Sequence, residues 1–111
     1  MPTEIVVLKV DVEGYEARVL AGAVNLICTR RVYHIILEFV AVKESECDWL
    51  KMMRWFDKIG YEIKNVNGAP INKLVWNRPG WRAPQNIWLR LKDVHSTPHE
   101  RMIKQGQTCL D

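Results

Sequence analysis

The sequence has little cysteine. Cys28, Cys47 and Cys109 are the whole set in 111 residues, and no two stand in C-x-x-C spacing. An odd set without that spacing suggests neither a disulfide framework nor a zinc site, and His34, His95 and His99 do not complete one. The three thiols therefore read as small hydrophobes in the reduced state, and the expected compartment is the reducing cytoplasm. A long apolar run is also missing. Glu38 interrupts the strongest one, so the roughly 20 apolar residues that cross a bilayer are absent and no membrane partner is expected. Met1-Pro2-Thr3-Glu4 has neither the basic nor the apolar part of a signal peptide.

What is present is the composition of a folded domain. Hydrophobic residues make up 48% and charged residues 26%, which excludes a disordered chain. The length suits one domain with a real core. Residues 1–60 hold 8 basic and 9 acidic side chains, and residues 61–111 hold 8 and 4. That excess is too dilute to form a nucleic-acid patch on its own.

Glu4 to Val10, E-I-V-V-L-K-V, is the apolar β-branched run of a strand buried on both faces. Leu20, Ala23, Val24 and Ile27 recur at helical spacing and predict a helix over 14–29. Val32 onward predicts a second strand ending near Glu38 or Phe39. Met52, Met53, Phe56 and Ile59 give an apolar helical face over 46–59, with Gly60 placed to stop it. Tyr61–Lys64 is a short third strand. Residues 69–85 form a long excursion with a candidate strand at Leu74-Val75-Trp76. Asn86–Lys92 alternates Ile87, Leu89 and Leu91 against Trp88, Arg90 and Lys92, which is a strand with one face more buried. Residues 94–111 are a polar tail, frayed or with a short helix near 98–105, behind a domain of residues 1–93. The first three strands should run parallel across two helical crossovers. The last, joined to the third without a helix, should return antiparallel.

The sharpest feature is Lys9-Val10-Asp11-Val12-Glu13-Gly14-Tyr15-Glu16. It puts carboxylates at the carboxyl end of a strand and before a helix, where open α/β sheets bind ligands. Asp11 and Glu13 could hold an amine or hydroxyl, act as general base, or bind a hard cation, although no metal is indicated. They could equally fix the turn and cap the helix.

K-V-D-V-E-G-Y-E-x-x-V-L-x-G-A, from Lys9 to Ala23, resembles the signature of FkbM-type methyltransferases. Leu37-Glu38 and Gly60-Tyr61 match later parts of the same pattern in the same order. The resemblance covers about residues 4–64. It implies a Rossmann-like methyltransferase sheet, of which these strands would be the fourth to seventh, the seventh antiparallel. It implies S-adenosylmethionine as cofactor and a hydroxyl on a small molecule or glycan as methyl acceptor. It implies Asp11 beside the cofactor, with Asp11, Glu13 and Glu38 as catalytic candidates.

Such enzymes also carry a glycine-rich loop, because backbone must approach the cofactor in unusual dihedrals. The six glycines here contain no G-x-G pair. The chain thus resembles the carboxyl-terminal half of the domain. Its first strand would be a bare edge open to a second copy or a partner chain. The alternative is a non-catalytic remnant or protein-interaction module. A further rival rests on Lys73, Trp76, Arg78, Trp81, Arg82, Trp88, Arg90 and Lys92, which interleave rings and cations as single-strand nucleic-acid binders do. Packing of those rings into the core is the favoured reading, and no nucleic-acid partner is expected.

Overall fold

Eight elements follow one another along the chain. They are β1 (Glu4–Asp11), α1 (Glu16–Thr29), β2 (Arg31–Glu38), α2 (Glu46–Ile59), β3 (Tyr61–Asn65), α3 (Lys73–Trp76), β4 (Asn86–Leu91) and α4 (Pro98–Lys104). The structure is a computed structural model, and it describes residues 4–11, 16–38, 46–78, 81 and 86–109. The chain is α/β, with one mixed four-stranded sheet in the order β1-β2-β4-β3. β1 and β2 are parallel, and β4 is antiparallel to both β2 and β3. β1, β2 and β3 therefore run one way and β4 the other, as the sequence leads one to expect. The position of β4, inserted between β2 and β3, is not in the sequence pattern.

Register explains which face is buried. Val10 pairs with Leu37, Leu37 with Ile87, Ile35 with Leu89, and Leu89 with Ile63. These residues share one face by the period-two rule, and all are 5% exposed or less. Ile27 of α1, Met53 and Phe56 of α2, and Met102 of α4 complete the same core. Gly60 ends α2 with φ +104°, a conformation that glycine takes without a Cβ penalty. The chain then turns directly into β3.

Tyr61 is the buried polar contact of this core. It is fully buried, and its hydroxyl donates to the Val32 carbonyl at 2.7 Å. Burial pushes its phenol well above the ordinary range. A raised folded-state pKa keeps its stabilisation intact below the unfolded value of about 10 and loses it as pH rises past that value. Urea titrations should therefore show wild type losing up to about 1.4 kcal/mol between pH 9 and pH 11 through this group. Tyr61→Phe should start about 1 kcal/mol lower and show a shallower alkaline slope. Parallel slopes for the two proteins would contradict the assignment.

Four expectations are corrected. β1 is not buried on both faces: Val6 is 65% and Val7 55% exposed, because only β2 flanks the strand among the described residues. Leu74-Val75-Trp76 is helix, not strand. Asn72 accepts from the Leu74 backbone N–H at 2.8 Å and caps α3, and Trp76, 2% exposed, anchors that turn in the core. The β3–β4 connection accordingly does contain a helix, of one turn. The last correction concerns the thiols. Cys28 and Cys109 are joined in a disulfide, so two of the three are oxidised. Helix α1 and the end of the chain come together only in the fold, which is why an odd cysteine count concealed the pair.

The short helix expected near 98–105 is present as α4. Thr97 accepts from the Glu100 N–H while Glu100 accepts from the Thr97 N–H, a complete capping box. No helix among the described residues is long and apolar enough to cross a membrane.

Candidate active site

Parallel pairing brings the carboxyl ends of β1 and β2 to the same end of the sheet. Asp11 is the last residue of β1, Glu38 the last of β2, and the two are register partners. Neighbouring strands lie about 4.8 Å apart, so the backbone fixes two carboxylate-bearing positions side by side. Glu38 is also the register partner of Asn86, the first residue of β4. The result is a row across three strands, Asp11–Glu38–Asn86, at one sheet edge.

Glu38 keeps 22% of its side chain exposed, and its Oε2 lies 3.7 Å from the Lys9 Nζ. Lys9 itself is 64% exposed, so this is a solvated ion pair that orients Glu38 and contributes little stability. The arrangement offers acceptor oxygens to an amine or hydroxyl donor, a carboxylate able to take a proton, and one amide-bearing position beside them.

The structure thus joins two of the three sequence-predicted residues, Asp11 and Glu38, although 27 positions separate them in sequence. Glu13 falls in residues 12–15, outside the described residues. Sequence reasoning missed Asn86 and the part Lys9 plays toward Glu38. Lys9 lies in the matched motif, but its partner is set by strand pairing. Asn86 carried no signal, because nothing in the sequence says that β4 starts beside the end of β2.

Away from this row, the same sheet face carries His34, Trp88, Arg90, Glu62 and Lys64. The Trp88 Nε1–H donates to His34 Nδ1 at 3.0 Å, and Lys64 Nζ sits 4.3 Å over the Trp88 ring. Arg90 Nε donates to Glu62 Oε1 at 3.2 Å. Trp76 lies in the core, and Trp81 packs against it. The rings that alternate with cations in sequence are engaged in the protein's own contacts.

A family comparison then bears on the row. The model of the methyltransferase FkbM domain matches residues 1–63, more than half of the chain. The chain belongs to the FkbM methyltransferase domain family. The match spans β1, α1, β2, α2 and the start of β3, and so includes both Asp11 and Glu38. β4, α4 and the disulfide partner Cys109 lie beyond it. Neither curated proteins nor solved structures give a match to the chain.

Proposed function

We propose that the Asp11–Glu38 row is the acceptor side of an S-adenosylmethionine-dependent O-methyltransferase site. The observation that carries this reading is the register pairing of the two carboxylate positions at the carboxyl ends of adjacent parallel strands, inside the segment that matches the FkbM family. The sheet order, with one antiparallel strand inserted, supports equating β1, β2, β3 and β4 with the fourth, fifth, sixth and seventh strands of a methyltransferase sheet.

The cofactor, when bound, supplies an electrophilic methyl group on a sulfonium centre. The chain's part is to hold the acceptor hydroxyl of a small molecule or glycan and to take its proton as the oxygen is methylated. Glu38 is the proposed base, oriented by Lys9. Asp11 positions the cofactor or the hydroxyl, and Glu13 follows two residues later in the same motif. The donor set fits a cationic, hydroxyl-bearing ligand. The sequence holds no G-x-G pair to cradle the remainder of the cofactor, so we propose that a glycine-rich segment outside this sequence completes the site. That same absence favours a second reading, a non-catalytic family member acting as a protein-interaction module.

Cytoplasmic location was expected because all three thiols read as reduced. The disulfide removes that ground, since such bridges persist mainly in oxidising compartments.

Calorimetric titration of S-adenosylhomocysteine into the chain separates the two functional readings. The methyltransferase reading expects binding that Asp11→Asn weakens by about tenfold or more. It also expects methyl transfer to hydroxyl acceptors that Glu38→Gln lowers by about 100-fold or more. A folded chain with no affinity for cofactor or product, even with the glycine-rich half of an FkbM methyltransferase domain supplied in trans, would leave the interaction-module reading. Binding unchanged by Asp11→Asn would remove the role given to that residue.

A further inference from the structure

Glu38 and Asn86 differ in what holds them. Glu38 is paired with Lys9. On the same sheet face, His34 and Trp88 pair with each other, Arg90 with Glu62, and Lys64 with Glu62 and the Trp88 ring. Among the polar side chains that β2, β3 and β4 place on this face, the Asn86 carboxamide alone has no hydrogen bond to another described residue. It is half-buried at the sheet edge, so its hydrogen bonds go to solvent until a ligand takes them.

The pairing of the two residues selects the ligand. Glu38 and Asn86 stand opposite each other in an antiparallel strand pair, where Cβ atoms lie about 4.5–5.5 Å apart and side chains share a face. A carboxylate only accepts hydrogen bonds, whereas a carboxamide both donates and accepts. One hydroxyl donates to Glu38. A second hydroxyl beside it, which also donates and accepts, is the complement of Asn86. Hydroxyls on neighbouring ring carbons are close enough for this pair of side chains to engage both at once. A lone hydroxyl on Glu38 would leave the carboxamide facing aliphatic carbon, and a group built to bond a hydroxyl rejects that.

We infer that Glu38 and Asn86 together recognise a vicinal diol, so that the methyl acceptor is a ring bearing adjacent hydroxyls. The inference rests on the acceptor-side reading above and narrows it. Glu38 takes the hydroxyl that loses its proton. Asn86 is a positioning residue: it holds the neighbouring hydroxyl and so sets the orientation of the ring. Asn86 lies beyond residue 63, where the family match ends, and the match assigns it nothing.

Heteronuclear correlation spectra of the full chain, read at the side-chain amides of its six asparagines, test this without cofactor. The probes are cis-1,2-cyclohexanediol, cyclohexanol and trans-1,4-cyclohexanediol, whose two hydroxyls stand at opposite ends of the ring. The vicinal diol should shift the Asn86 amide saturably and leave those of Asn25, Asn67 and Asn72 in place. It should bind about tenfold or more tighter than either other probe. Asn86→Ala, followed at the Glu38 backbone amide, should erase that preference while the circular dichroism of wild type is kept. An Asn86 amide that no probe moves in the folded chain would overturn the inference. So would an equal response to all three probes, or a vicinal preference that survives Asn86→Ala. Cofactor binding without a diol response would keep the methyltransferase reading and remove this one. Diol recognition without affinity for cofactor or product would keep the Glu38–Asn86 pair and remove methyl transfer.

Discussion

Reducing the Cys28–Cys109 disulfide is expected to lower the unfolding free energy by about 3–4 kcal/mol. The bridge joins residues 81 apart and so closes most of the chain into one loop. The chain-entropy model puts such a loop at about 4.5 kcal/mol, and measured values commonly fall below the model. Against the 5–15 kcal/mol typical of folded domains this is a large share. The two cysteines are 0% and 1% exposed, and the Trp55 Nε1–H donates to the Cys109 carbonyl at 2.9 Å. The bridge therefore fixes the end of the chain against α1 and α2. Guanidinium unfolding with and without reductant measures the effect. The reductant should shift the wild-type midpoint strongly and leave a Cys28→Ala/Cys109→Ala variant where it was. Coincident wild-type curves would mean that the bridge does not form in the protein.

Phe56→Ala is expected to cost about 3–5 kcal/mol, comparable to loss of the disulfide but by another route. Phe56 is fully buried at the centre of the α2–β3 contact. Its ring stands edge-on to Trp55 at 4.9 Å and to Tyr61 at 5.5 Å between centroids, and such pairs add to the area that each ring buries. Truncation leaves a cavity beside two large rings, Trp55 and Tyr61, that cannot move far enough to close it. Thermal unfolding should show a drop of well over 10 °C, at roughly 4–8 °C per kcal/mol for a domain near this size. Phe56→Leu should lose less than half as much. Equal losses for the two variants would show that packing of the ring is not the cause.

Much of the fold was legible because local periodicity reports burial. Ile87, Leu89 and Leu91 alternate in sequence and are buried in β4. Met53, Phe56 and Ile59 recur at helical spacing and form the buried face of α2. Leu74-Val75-Trp76 misled for a physical reason. A β-branched and aromatic run favours a strand only where a neighbouring strand can pair with it, and here an Asn72 cap and the burial of Trp76 decide for a helical turn. The α4 helix had a readable signal in Thr97-Pro98-His99-Glu100, the capping residues with proline at the first turn.

The candidate site was half legible. D-V-E-G marks a strand end followed by a helix start, which places Asp11 at the carboxyl end of a strand from sequence alone. The neighbour of Asp11 is a tertiary fact.

By itself, the sequence determined the type and order of β1, α1, β2, α2, β3 and β4, the buried faces of α2 and β4, the antiparallel direction of β4 and the FkbM family, because each of these depends on residues close together in the chain. Tertiary structure alone decided that β4 enters between β2 and β3, that Glu38 and Asn86 line up with Asp11, and that Cys28 meets Cys109. Each of those joins residues tens of positions apart, where packing of the whole core rather than local preference selects the partner.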